Sequence, residues 1–243
     1  MQNVRGYFWY KNFNFLYKFY LLYIKHKTFL PKKTYSEWGE DLFIIKYFKN
    51  LSKGFYVDIG AYHPFFLNNT QLLFQNTWEG INVDINQASI EIFNKARPND
   101  CNFNVAISNK NKKYINYYTK NMINMLSTTM IDSAKTAFLN NSYIKRKVKC
   151  NKLDDIISKT KFKNRKIDFL NIDTEKSEVD VLKSLDFNKY KPKLICIEIH
   201  LTRKNKKRMP LKKHATYQYL NKKKYKLVWN RGYSFIFSRK KLN

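Results

Sequence analysis

Gly54-Phe55-Tyr56-Val57-Asp58-Ile59-Gly60-Ala61 is the stretch on which the fold turns. It is a short apolar run with an acid near its end and a glycine behind it. Ile167-Asp168-Phe169-Leu170-Asn171-Ile172-Asp173-Thr174-Glu175 is a second apolar run ending in acids. Such runs read as buried parallel strands whose C-terminal ends carry acids and a tight turn, which is how an open α/β sheet builds a ligand crevice. Between them lies Gly80-Ile81-Asn82-Val83-Asp84. Its acid follows at a distance near the ~20 residues that separate the glycine turn from the ribose-binding acid in a nucleotide-binding βαβ unit. The expectation is a nucleoside cofactor held across the strand ends.

Working outward, helices and strands alternate, the sign of a parallel α/β sheet. Ser36 is a candidate N-cap for a helix through Phe48, with Glu37, Glu40 and Asp41 in its opening turns. A strand over 55–60 follows, then a helix over 69–76, a strand over 80–84, a helix over 87–95 and a strand over 102–107. Residues 108–143 are less regular, with a strand at 116–118 and a loop from Met122 to Met130. A strand at 144–149, a helix starting at Leu153, a strand over 167–172, a helix over 176–184 and a strand over 194–200 continue the pattern. After a helix over 214–222, two strands flank the turn Asn230-Arg231-Gly232, so the sheet ends in a hairpin.

Composition narrows the class. The 243 residues suit one doubly wound domain. Forty-seven Lys and Arg against 18 Asp and Glu give a net charge of +29, a field that favours phosphates, acidic glycans or anionic lipid surfaces. Cys101, Cys150 and Cys196 are far apart, which reads as reduced thiols in a cytosol and excludes a zinc site at ligand spacing. Residues 7–30 are aromatic and punctuated by lysine. They are too polar for a spanning helix and lack the small-residue cleavage site of a signal peptide. Two readings stand for them: an interfacial helix in peripheral contact with a membrane, or a helix that caps the domain. Residues 1–35 are taken as an N-terminal extension and 36–240 as the domain.

A mostly parallel sheet with a terminal antiparallel hairpin looks like a class I S-adenosylmethionine-dependent methyltransferase. The strings resemble the FkbM family: Gly39-Glu40-Asp41, Gly54 through Pro64, Asn69-Thr70, Trp78-Glu79-Gly80-Ile81, Asn104 through Ser108, Asp168 through Glu175 with Glu178, Lys191-Pro192-Lys193, and Ile197-Glu198-Ile199-His200. The match runs over about residues 36–237. The resemblance implies a Rossmann-like seven-stranded sheet with helices on both faces, and S-adenosylmethionine as cofactor. Where the family shows Glu-Gly, this chain has Glu175-Lys176; where it often shows Glu-Pro-Asn, this chain has Asp84-Ile85-Asn86.

The candidate cofactor-binding residues are Asp58, Gly60, Ala61, Asp84, Ile85 and Ala106. Gly60 permits a tight turn and close approach to a ligand. Asp58 is placed to accept from the cofactor's amino group, and Asp84 from ribose hydroxyls, because a carboxylate is acceptor-only. The bland alternative for either acid is a cap or turn residue. The backbone around Ala106 would border the adenine. The candidate catalytic residues are Asp173, Glu175 and His200. Asp173 is first choice for a base, and His200, with an ordinary pKa near ~6.5, is second. Asp173, Glu175 and Glu198 offer oxygen ligands for magnesium, though no spacing enforces it, and no metal ligands are assigned.

The leading expectation is O-methylation of a sugar hydroxyl in a cell-surface glycan or its lipid-linked precursor, in the cytoplasm at the inner face of the membrane. The alternatives are a ribose methyltransferase acting on nucleic acid, favoured by +29 and the basic run 202–213, and a non-catalytic cofactor-fold module.

Overall fold

In the computed structural model, which describes residues 3–30, 32–138, 142–201 and 209–240, the two acid-ended runs lie side by side. They are β1 (Phe55–Ile59) and β7 (Phe169–Ile172), paired in parallel with Asp58 opposite Asn171. Around them the chain forms β2 (Glu79–Asp84), β3 (Cys101–Asn104), β8 (Leu194–Glu198), β9 (Lys226–Arg231) and β10 (Ser234–Ser238). The order is β3-β2-β1-β7-β8-β10-β9. The first five strands are parallel; β10 runs antiparallel between β8 and β9.

A second, three-stranded sheet has the order β4-β6-β5, built from β4 (Ala106–Ile107), β5 (Tyr114–Thr119) and β6 (Ile144–Asn151). The strand expected over 102–107 is therefore two. Its first half pairs with β2 and its second, past Val105, pairs with β6. The local sequence offers no breaker there; the pairing partners decide the division.

Strand alternation sorts the core into two layers. Phe55, Val57 and Ile59 of β1 and Leu170 and Ile172 of β7 face one large cluster. That cluster is covered by α7 (Leu153–Ser158), α8 (Glu178–Lys183), α9 (Phe187–Tyr190) and α10 (Ala215–Lys222), while α6 (Ile131–Ala137) packs Ala134 against Tyr118. Tyr56 and Phe169 face the other side, where α3 (Glu40–Tyr47) and α4 (Gln71–Gln75) supply Ile44, Phe48 and Leu73. The expected helices on both faces are present. Ser36 does not sit at the start of α3: Gly39 does, at φ +87°. Ser36 Oγ instead accepts from the Gly39 N–H at 3.1 Å, one step back from the helix.

The second face also buries charge. Arg97, at the C-terminal end of α5 (Gln87–Ala96), is 0% exposed. Its guanidinium donates to Thr70 Oγ1 (2.8 Å), Gln71 Oε1 (2.8 Å), the Pro64 carbonyl (2.7 Å), Asn68 Oδ1 (3.0 Å) and the Tyr56 hydroxyl (3.2 Å). Phe74 and Phe93 lie against it at 4.9 and 5.1 Å. The Tyr56 hydroxyl in turn donates to Asp100, which also accepts from the Gly80 N–H and from Asn82. A Cβ on Gly80 would meet the Tyr56 ring at 2.2 Å, so glycine is required for this strand pair to close.

The aromatic N-terminus packs on the domain. α1 (Asn3–Asn12), α2 (Asn14–Phe19) and a π-helical turn (Tyr20–Ile24) lie over α5, with Leu21 and Leu22 buried beside Ala88 and Ile92. Lys18 pairs with Glu91 at 2.8 Å, and the Tyr10 hydroxyl donates to the same carboxylate at 2.6 Å. Among the described residues no helix is long and apolar enough to cross a membrane. Of the basic run, residues 202–208 lie outside the described residues.

Removing the guanidinium should leave Asp58 and Asp100 without their shared cation. Arg97→Met is expected to lower unfolding free energy by about 3–5 kcal/mol, read from the denaturant midpoint. A loss under 1 kcal/mol would mean that the buried network does not depend on it.

Candidate active site

The site lies at the C-terminal ends of β1, β2 and β7. Gly60 turns the chain out of β1 at φ +80°, and its N–H and that of Ala61 both donate to the Val83 carbonyl, at 2.9 and 3.1 Å. A Cβ at residue 60 would sit 1.7 Å from the Asp173 carbonyl oxygen. No side chain fits there, so the β1 and β7 ends approach as closely as backbone allows.

A narrow cleft opens at this point, with about 50 Å³ of space, enough for a few waters. Gly60, Tyr62, Asp84, Ile85, Ala106 and Asp173 are in its walls, together with Asn124, Met125, Ser127 and Thr129 from the long loop. Of the six cofactor-binding candidates, the structure brings Gly60, Asp84, Ile85 and Ala106 into one cleft. Ala61 is buried behind the turn and does not line it.

Asp84 ends β2 and is buried. Its Oδ2 accepts from the Tyr62 N–H at 2.9 Å and its Oδ1 from the Asn86 N–H at 2.6 Å. Each oxygen keeps a lone pair for a further donor. Burial pushes its pKa up to about 6, against the pull of those two N–H groups.

Asp58 is placed differently. It is 0% exposed and shares the face of β1 that carries Tyr56, so it points under the sheet. Asn171 Nδ2 donates to it at 2.8 Å, Thr70 Oγ1 at 3.0 Å and Asn68 Nδ2 at 3.3 Å. Burial raises its pKa; Asn171, the Arg97 charge, Thr70 and Asn68 oppose the rise. Its carboxylate takes three protein donors and lies one layer below the cleft. Arg97 and Asn171, which hold this layer together, were not among the sequence candidates. The signal open to sequence reading was an arginine between a helix end and Pro98.

On the other side of Asp173 the structure gathers Glu175, Glu178, Glu198 and His200. Glu198 and His200 pair at 3.0 Å. Glu175, Glu198 and His200 each bring a ligand-type atom within 4.8 Å of the others. Glu198 is close enough to Asp173 for the two carboxyls to repel when both are charged. The pKa of Asp173 is pushed well up by its close surroundings and then by repulsion from Glu198, Glu175 and Glu178. Asp173 is nevertheless exposed to solvent at the cleft mouth, so the like-charge repulsion is the firmer cause. Burial and then Glu198 raise Glu175 to about 7. The bond to Glu198 raises His200. The three catalytic candidates thus lie in one cluster, but only Asp173 also faces the cleft.

The loop after β7 is clasped from two sides. Glu178 Oε1 accepts from the N–H groups of Thr174 (3.3 Å) and Lys176 (2.9 Å), and Thr128 Oγ1 donates to the Glu175 carbonyl at 2.9 Å. Held this way, Glu175 and Lys176 adopt φ of +53° and +81°. His63 is remote from this chemistry: it is buried, accepts the Phe65 N–H at Nδ1 and donates from Nε2 to the Leu21 carbonyl at 2.9 Å, tying down the N-terminal segment.

A Rossmann-like sheet with an antiparallel terminal strand and a strand-end cleft carrying an acid on β2 defines a methyltransferase fold. Residues 58–235 match the family described as Methyltransferase FkbM domain, and the chain belongs to that family. Comparison with curated proteins finds no match. Membership implies an S-adenosylmethionine-type methyl donor and an acceptor substrate.

A lysine held at φ +81° carries strain that glycine would not. Lys176→Gly is expected to raise stability by about 0.5–1 kcal/mol, net of the added freedom of the unfolded chain, seen as a higher melting temperature. A lower melting temperature would show that the lysine side chain contributes more than its backbone costs.

Proposed function

We propose that the protein is an S-adenosylmethionine-dependent O-methyltransferase whose acceptor is a sugar hydroxyl of a glycan or its lipid-linked precursor. The observation that carries this reading is that Asp84 and Asp173 line the same cleft across the side-chain-free turn at Gly60. Asp84 would take the ribose hydroxyls on its two remaining lone pairs. Ile85, Ala106 and Ile107 offer apolar surface for the adenine. The present space is smaller than the roughly 300–1,000 Å³ of ligand clefts, so entry displaces the turn Asn124–Ser127 that closes one wall. That turn is tied to Asn86 by Ser127 Oγ at 3.2 Å.

Bound there, the cofactor supplies an electrophilic sulfonium methyl. The chain's part is alignment and removal of one proton. Once ionised, Asp173 at the cleft would accept the proton of the acceptor hydroxyl as that oxygen takes the methyl group. Glu198 and His200 hold Asp173 in place. Magnesium has no role in this reading.

Peripheral membrane contact through residues 7–30 belongs to the same proposal. Phe15 and Phe29 are 68% and 63% exposed, and Phe8, Trp9, Phe13, Leu16, Phe19 and Ile24 are exposed with them. Lys11, Lys25 and Lys27 are interspersed, which suits an anionic lipid surface.

Calorimetric titration with S-adenosylhomocysteine tests the cofactor site. Binding is expected to tighten as pH rises from 5 to 7, because Asp84 ionises near 6 and accepts only as the carboxylate. Asp84→Asn should weaken binding and flatten that profile, while Asp173→Asn should bind normally and lose about 10²-fold or more in turnover. No binding by folded protein would end the proposal. Sedimentation with anionic vesicles tests the membrane surface: Phe15→Ser with Phe29→Ser should release the protein at constant salt. Unchanged sedimentation would leave only the lysines in contact.

A further inference from the structure

A second cavity adjoins the cofactor cleft and is much larger, at about 540 Å³. Lys110, Lys112, Lys176 and Lys183 converge on it from three directions: the turn before β5, the clasped loop after β7, and α8. Tyr114 and Tyr118 of β5 supply aromatic wall. Its single acid, Asp180, accepts from Ser108 Oγ and from the Asn109 N–H, so it is already engaged. Among the described residues none of the four lysines forms an ion pair.

Two features separate this cavity from the basic surface at large. First, Thr129 and Ser177 line both spaces, and their hydroxyls hydrogen-bond each other at 2.9 Å. A ligand in the cavity is one side-chain layer from the cleft that holds Asp173. Second, Lys176 is kept in a backbone conformation that costs a non-glycine residue ~1–2 kcal/mol, and it is kept there by Glu178, which grips its N–H. That conformation aims the Lys176 side chain from the clasped loop at the wall the two spaces share.

Resting on the methyltransferase reading above, we infer that this cavity is the acceptor subsite and binds an anionic sugar, its phosphate or carboxylate held by Lys110, Lys112, Lys176 and Lys183. Tyr114, which is exposed, borders the sugar, and the wall of Thr129 and Ser177 sets how far its hydroxyl reaches toward Asp173. Lysine serves here as a point charge with rotatable donors, suited to phosphate in varied orientations.

The probes are glucose 1-phosphate and glucose, titrated into the full chain at physiological salt with S-adenosylhomocysteine present. The phosphate ester should bind and glucose should not. Lys176→Gln with Lys183→Gln should weaken the phosphate ester on the order of fivefold to tenfold. Lys49→Gln with Lys53→Gln removes the same charge from the opposite end of the sheet, before β1, and should change nothing. Equal weakening by both pairs would reduce the cavity to part of a general +29 field and overturn the inference, as would equal binding of glucose. S-adenosylhomocysteine binding should be the same in both variants. If it is absent even in the unmodified chain, the cofactor reading fails independently of the cavity. A parallel arm presents a phosphosugar on a polyprenyl chain in phosphatidylcholine vesicles. Tighter binding there identifies a lipid-borne acceptor, and equal binding a soluble one; loss of binding in both arms rejects the subsite.

Discussion

The arrangement depends on one buried cation. Arg97 lies under the β1–β2 end of the sheet with no exposure to water. An arginine can occupy such a position only if its donors find partners, since a lone buried charge is strongly unfavourable. Here five acceptors from two stretches of chain converge on its two terminal nitrogens, and only Nε is left without a partner. Those contacts join the segment Pro64–Gln71 to β1 and to the end of α5. They also place Thr70 and Asn68 where they can donate to Asp58. The acid at the end of β1 is therefore one pole of an internal electrostatic layer, and the loop leading from Gly60 is braced from beneath.

Above that layer the chemistry is organised by close backbone approach. At Gly60 the β1 turn and the Asp173 carbonyl come so near that a methyl group would overlap it. This brings the acids of β2 and β7 to the rim of one narrow cleft. Asp173 stands at the boundary between that cleft and a crowd of carboxylates, and the crowding keeps its proton affinity high. A carboxyl tuned upward in this way is a stronger base when ionised than an ordinary surface acid. His200 pairs with Glu198 and does not face the cleft.

The loop 122–130 connects the two levels. Thr128 pairs with Tyr118 through both backbone hydrogen bonds and reaches the Glu175 carbonyl with its hydroxyl. One segment thus closes the strand-end cleft, borders the lysine cavity and holds the loop that follows β7.

Much of this was legible in the sequence. Acid-ended apolar runs, a glycine behind the first, and a Gly-containing turn near the end predict a parallel sheet with a terminal hairpin, because burial on both faces and turn chemistry are local requirements that leave local marks. The position of Asp84 and Gly60 at the strand ends was readable for the same reason. What the tertiary structure alone decided is which way each side chain faces and what it meets. Asp58 looked equivalent to Asp84, but the alternation of β1 sends it beneath the sheet to Asn171, a residue more than a hundred positions away. The division of 102–107 between two sheets, the Arg97 network and the meeting of four lysines across Thr129 and Ser177 are likewise contacts between distant stretches. Hydrogen bonds and charge pairs of that kind are set by distance in space, and no spacing along the chain encodes them.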